Sequence, residues 1–336
     1  MDAAGTHALI DDLVRSFASQ TRPIEWILLA AAIALAVVAV VPATRARLSG
    51  AVALMALLLA GGEGALMWFH YRLYELAIVV SPDTGAITGR VAAPLWIESE
   101  KLYVWALVLA CMLVLARRHR KELLPGGAFV LALLVAGAVL WSHPFTQPLP
   151  SFLGQYQGYL QATASGNVEA TRAAFEGMEG ARQFYYNTWY MWVHPPLLFL
   201  SYGAFVMSFV ATVAMIRTRY SAFETTAYRW ARFGYLPLTA GMLLGFPWAI
   251  MSWQGESWWW SGKVNMSIMM WLLYAALLHA RLYLRRRGMW RLVAAVAVLS
   301  FVVLVLTYLA TYIVPGAHSY ALAPMPAKEV ASWVAA

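Results

Sequence analysis

Trp253-Gln-Gly-Glu-Ser-Trp258-Trp259-Trp260-Ser-Gly-Lys-Val-Asn265 runs without interruption into the apolar stretch 266–280. Four tryptophans within eight residues are more than one helix face can bury, and the polar residues between them do not belong in the middle of a bilayer. Tryptophan settles at the membrane–water boundary, where its ring is half buried and its N–H stays wet. The stretch therefore reads as a loop between two membrane spans, forming an aromatic shelf at the bilayer surface. Two uses fit such a shelf: a belt that anchors helix ends, or a platform for a large planar ligand.

The remaining residues demand a membrane on both sides of that loop. Of 336 residues, 62% are hydrophobic and only 12% charged, whereas soluble domains carry about a quarter charged residues. The expected fold is all-α: a polytopic transmembrane helix bundle of about eight spans. A hydrocarbon core needs ~20 apolar residues per crossing. Runs of nearly that length or more occupy residues 24–43, 50–69, 102–116, 127–142, 190–216, 233–252, 264–283 and 290–313. Residues 1–23 are read as an outer amphipathic segment and 24–316 as the membrane domain. Its outer loops are 70–101, 143–189 and 253–263, and 317–336 form an outer tail. Within the second loop, Val168–Tyr186 has the composition of a small solvated helix.

Charge orients the bundle. Fifteen of the 24 Lys and Arg lie in alternate connections: Arg45 and Arg47; Arg117, Arg118, Arg120 and Lys121; Arg217, Arg219, Arg229 and Arg232; Arg281, Arg285 to Arg287 and Arg291. The positive-inside rule puts those loops in the cytoplasm, and both termini with the Trp-rich loop outside. The net charge of +8 thus reads as topology and not as a nucleic-acid surface. The single cysteine, Cys111, excludes a disulfide framework and a thiolate metal site.

Several polar residues stand out against this background. Glu63 lies mid-span among Gly61, Gly62 and Gly64, small residues that let helices approach closely. An acid there must find a partner or stay protonated. His70 follows seven residues later, on the same helix face. His194 precedes Pro195-Pro196 at the start of span five, where proline suits the first turn of a helix, and so is expected at the outer mouth of that span. His318 follows Pro315-Gly316 just beyond span eight, on the same side as the tryptophan shelf. Alone, each is an ordinary solvated histidine. Together with the shelf they point toward a haem site, since two imidazoles can hold the iron from opposite faces. His279 sits about fifteen residues into span seven; a histidine at that depth faces the bundle interior, satisfied by a partner or bound to a cofactor.

These segments resemble a family, the haem-handling cytochrome c assembly proteins of the CcmF, CcmC and CcsA branches, and most closely the N-terminal half of the CcmF type. The segment from His194-Pro-Pro to Tyr202-Gly is similar to the branch's His-Pro-Pro segment, whose histidine is an outer haem ligand. Trp258-Trp259-Trp260, Asn265, Ser267 and Trp271-Leu272 follow its Trp-rich segment and the helix after it. His279 falls where the branch carries a transmembrane haem histidine, and His318 near its second outer histidine. The chain departs from the pattern where Trp260 is followed by Ser261-Gly262 instead of Asp-Pro, and where Ile97-Glu-Ser-Glu100 replaces Gly-Gly-His-Glu-Gly. The half that supplies a second transmembrane ligand in longer members has no counterpart in these residues.

The resemblance implies a multi-pass protein of a bacterial-type inner membrane that binds non-covalent, b-type haem. His194, His318 and His279 would be iron ligands, with Trp253, Trp258, Trp259, Trp260 and Asn265 against the cofactor. It would present haem at the outer face to an apocytochrome c, as a possible component of a haem lyase. A second reading stays open: a haem- or quinol-binding membrane subunit of a respiratory electron-transfer complex, partnered by a c-type cytochrome and other membrane subunits. A haem exporter is a third.

Overall fold

The computed structural model describes residues 3–252, 259, 261–284 and 288–313. The chain divides into two compact units, Met1–Phe199 and Leu200–Ala336. Among the described residues, seven helices are long and apolar enough to cross a membrane, in agreement with an all-α polytopic bundle. The eighth expected span, 264–283, is also a helix, and it carries Asn265, Ser267, His279 and Arg281 among its apolar residues.

In the first unit, α1 (Ala3–Val40) and α2 (Leu48–Leu76) are continuous helices. At 1.5 Å per residue, α1 is about 57 Å long, nearly twice a ~30 Å hydrocarbon core. Residues 5–23 and the first expected span are therefore one rod, with Pro23 inside it. Together with α3 (Lys101–Ala116) and α4 (Leu124–Gly137), these helices form a bundle in which α1 packs on α2 and α4, and α3 on α2 and α4. The crossing of α2 and α3 shows why the Gly61–Gly64 run matters. A Cβ at Gly62 would collide with the Tyr103 hydroxyl, while at Gly61 and Gly64 it would meet nothing. Tyr103 uses that gap to donate a 2.5 Å hydrogen bond to the Leu59 carbonyl.

A polar cap sits on one end of this bundle. It comprises a hairpin, β1 (Ile78–Val80) paired antiparallel with β2 (Ile87–Arg90), and two helices, α5 (Pro150–Ala164) and α6 (Val168–Ala181). The solvated helix expected over Val168–Tyr186 is α6 and the π-helical turn Arg182–Tyr186 after it; Asn167 caps it by accepting the Ala170 N–H. Helix α5 and the hairpin were not foreseen. The first half of α1 is bonded to the cap along one side: Gln157 donates to Asp11 at 2.9 Å, and Thr21 to the Phe145 carbonyl at 3.0 Å. Glu25, buried in α1, accepts the Phe145 and Thr146 N–H groups and the Thr146 hydroxyl, with His143 at 3.7 Å.

Glu179 ties α6 to the hairpin, accepting from Thr88 at 2.9 Å and from Arg182 through two nitrogens. Hydrogen bonds from Arg182 above all, then from Gln183 and Thr88, hold its carboxyl down from 4.5 to about 2. A folded-state pKa below the unfolded one contributes stability above the ordinary value that is lost as pH falls. The cap is therefore expected to loosen between pH 4.5 and about 2, seen as faster hydrogen exchange at β1 and β2. Glu179→Gln should remove the part of that transition that the carboxylate causes.

Helix α7 (Trp189–Thr218) contains the boundary between the units. In the second unit its remaining part packs with α8 (Ser221–Ser252), α9 (Gly262–Leu284) and α10 (Trp290–Ile313). Phe205 stacks on Tyr274 at 3.5 Å and Phe209 on Phe301 at 4.1 Å, while Gly234 of α8 lets Phe205 approach. Trp271 donates to Thr239 at 2.9 Å, and Thr307 to the Met266 carbonyl at 3.1 Å.

Candidate functional site

The helix that carries His194 begins earlier than its prolines suggest. Helix α7 starts at Trp189, so Pro195 and Pro196 lie in its second turn and not its first. Proline there removes N–H groups that would otherwise bond the carbonyls four residues back, those of Met191 and Trp192. His194 is half buried immediately before this gap. The turn is fastened from outside the helix. Asn187 accepts the Ala92 N–H at 2.9 Å and donates to the Arg90 carbonyl at 2.8 Å. The Trp96 indole N–H donates to the Met191 carbonyl at 2.6 Å, with its ring edge-on to Trp192 at 5.4 Å. Trp189 and Trp192 are exposed beside it, and Trp189 stacks on Tyr190.

Trp96 opens a five-residue segment whose polar side chains each reach a different element. Glu98, buried and in the left-handed region at φ 46°, accepts the Ser151 N–H at 2.7 Å and the Phe152 N–H at 3.0 Å. It thereby caps α5 from a distance, since the residue at the cap position is Leu149, which has no acceptor. Ser99 accepts the Leu149 N–H at 3.3 Å. Glu100, fully buried, meets His70 Nε2 at 2.7 Å, and His70 Nδ1 meets the Ala93 carbonyl at 2.8 Å. A carbonyl only accepts, so Nδ1 carries a hydrogen, and Nε2 and the Glu100 carboxylate share one more proton. Glu100 Oε2 and Glu63 Oε2 are buried with no hydrogen-bond partner among the described residues. Glu63 and His70 do lie on one helix face, with Glu100 joining them from the start of α3.

The second unit holds the other candidates. His279 is exposed on α9 and makes a 2.8 Å bond from Nδ1 to the Ala275 carbonyl. The interior position expected for it is not seen within the unit, where the residue is exposed. Asn265 is exposed in the first turn of α9, its N–H donating to the Ser261 carbonyl at 3.1 Å. Trp259 is exposed, with Phe246 tilted against it at 5.4 Å. Trp253, Trp258, Trp260 and His318 lie outside the described residues. Near the other end of α9, Arg281 forms a two-nitrogen pair with Glu224, and its guanidinium lies 3.9 Å from the Tyr228 ring centroid. The pair lines a small recess with Ser208 and Thr212.

The donor set fits haem. An imidazole ligates iron through one nitrogen while the other donates to a fixed acceptor that sets the tautomer. His279 has the second half of that arrangement: Nδ1–H is held by the Ala275 carbonyl, so Nε2 carries the lone pair, and the side chain is exposed. Exposed tryptophans stand beside His194, at Trp189 and Trp192, whereas Trp259 lies before the start of α9 and far along the chain from His279.

Reading along the chain missed Trp96, Glu98 and Glu100 as structural determinants, although two local signals pointed outward. Adjacent prolines inside a helix leave carbonyls that need an outside donor, and a helix starting Leu149-Pro150 needs an outside acceptor.

Comparison with known proteins places these residues in context. Residues 95–318 match the cytochrome C assembly protein family. The "Probable cytochrome c-type biogenesis protein NrfE" of Escherichia coli is 30% identical over 245 residues, 68% of this chain and 40% of the relative. The cytochrome c-type biogenesis protein CycK of Rhizobium meliloti is 26% identical over 81% of this chain and 39% of its own length. The cytochrome c biogenesis protein CcsA of a Synechococcus strain is 38% identical over 105 residues, 31% of this chain and 32% of its own. The chain thus spans about 40% of the length of the longer relatives it matches.

Proposed function

Because this chain belongs to the cytochrome c assembly protein family, we propose that it is the membrane protein that holds haem for attachment to an apocytochrome c. The observation that supports this best is the exposed imidazole at His279, with Nδ1 engaged by a backbone carbonyl and Nε2 left as the nitrogen with a lone pair. His279 would hold a haem within the membrane. His194 and His318 would hold a second at the outer face, beside Trp253, Trp258, Trp259, Trp260 and Asn265. The alternation of basic connections supports an outer position for residues 70–101 and 143–189, the Trp-rich stretch and both termini. Haem supplies the reactive vinyl groups, and each thioether is the addition of a cysteine S–H across a vinyl C=C. The protein's own part would be to hold the haem against its tryptophans and the iron through its imidazoles, leaving the vinyl groups accessible to the incoming peptide.

Optical and pyridine haemochrome spectra of the purified protein test the reading. Two imidazoles on one iron act as a unit, so His194→Ala and His318→Ala should each give a five-coordinate outer haem. The double variant should lose little more than either single, as for residues sharing one partner. Added imidazole should partly restore the singles. A full six-coordinate spectrum in the singles, or losses that simply add, would sink the outer pair. The inner haem absorbance should survive these changes and disappear in His279→Ala.

A further inference from the structure

We propose that Trp96 is a positioning residue for His194: its indole N–H takes the place of the backbone N–H that Pro195 lacks, and so holds the turn that carries the ligand. This rests on the reading of His194 as an axial ligand.

The argument starts from hydrogen-bond accounting. In an α-helix the carbonyl of Met191 accepts from the N–H of residue 195, and at this position that residue is proline. The carbonyl is therefore without its helical donor, one turn before the histidine. A helix broken in this way frays or kinks unless another group supplies the bond. The group supplied is specific. Trp96 Nε1 lies 2.6 Å from the Met191 oxygen, and the ring is fixed edge-on to Trp192 at 5.4 Å. An indole has a single donor and no acceptor, so it fits a lone carbonyl better than a hydroxyl or an amide would.

The segment bearing Trp96 is itself anchored on both sides. Asn187 pins Arg90 and Ala92 before it, and Glu98 and Ser99 pin α5 and Leu149 after it. Trp96 thus brings a rigid reference to a turn that proline has loosened. A ligand histidine gains from this because a haem site tolerates little error in imidazole direction. The gap also has a use: with no N–H at 195 or 196, the turn around His194 takes its geometry from the docked segment and not only from its own helix.

Trp96→Phe keeps the ring and removes the donor. Pro195→Ala restores a backbone donor to the same carbonyl, so the two substitutions form a cycle on one bond. Two readouts are taken on the full-length protein in detergent: amide exchange across residues 189–199 without haem, and titration with haemin followed by its spectrum. Trp96→Phe is expected to speed exchange around His194 and weaken haemin binding roughly fivefold to tenfold, the scale of one buried hydrogen bond. Trp96→Phe with Pro195→Ala should recover most of both losses. His194→Ala separates the two ideas. If it leaves the haemin spectrum intact, the ligand reading fails, while the exchange data still judge the positioning. If His194→Ala abolishes the site and Trp96→Phe changes neither readout, the positioning role is overturned. It is equally overturned if Trp96→Phe is damaging and Pro195→Ala does not rescue it, for then the indole acts through packing.

Discussion

Replacing His70 by alanine is expected to destabilise the first unit by about 3–5 kcal/mol, the cost of leaving one member of a buried ion pair without its partner. Glu100 is fully buried, and its hydrogen-bonding partner is His70 at 2.7 Å. Its second oxygen already lacks a partner among the described residues, so nothing nearby can take up the charge when the imidazole goes. Glu63, on the same face of α2 as His70, is a second acid and offers no positive charge to replace the imidazole. The reverse substitution is expected to be much milder. In Glu100→Gln the carboxamide can donate to a neutral imidazole Nε2 while Nδ1–H still bonds the Ala93 carbonyl. His70→Ala combined with Glu100→Gln should recover most of the loss, since the penalty belongs to the stranded charge. Denaturation of the purified variants in detergent measures all three. A His70→Ala cost below about 1 kcal/mol, the range of an ordinary hydrogen bond, would show that the pair is neutral.

Glu98→Ala is expected to cost about 3 kcal/mol, concentrated in α5. It removes two charge-assisted bonds to N–H groups at a buried helix start, each worth roughly 1.5–3 kcal/mol, less whatever water can re-enter. The loss also withdraws a negative charge from the positive end of the helix dipole. Glu98→Gln keeps an oxygen that can accept one of the two bonds, and should cost less than half as much. Because α5 packs on α6 and on the upper half of α1, exchange should rise across residues 150–164 and at residues 10–21 of α1. The lower part of the bundle should change little. Uniform destabilisation of the bundle, or no difference between the alanine and glutamine variants, would remove the capping role.

How much of this was legible depends on the range over which each force acts. Hydrophobic runs and the alternation of basic loops are properties of consecutive residues, so the all-α membrane bundle and the positions of its spans follow from the sequence by itself. So does the family. The His-Pro-Pro segment and the Trp-rich stretch are local strings, and residues 95–318 do match the cytochrome C assembly proteins. The small residues around Glu63 also foretold a close crossing, although only at Gly62 does a neighbouring side chain use the room.

Helix ends and buried polar groups were decided only in three dimensions, because their partners are far apart in the chain. The length of α1 could not be read from hydropathy. Its first twenty residues are too polar to count as a span, and they are held as helix by a cap contributed from residues 143–157. The start of α7 was legible to within a residue, but the prolines after His194 lie in its second turn and not its first, and the carbonyl that Pro195 leaves without a donor is bonded by Trp96 from a segment that Asn187 brings in. The segment Trp96–Glu100 appeared in the sequence only as a departure from a familiar pattern. In the fold it bonds α2, α5, α7 and the residue before α5, since a buried donor or acceptor must be paired and the chain supplies no local partner for any of them.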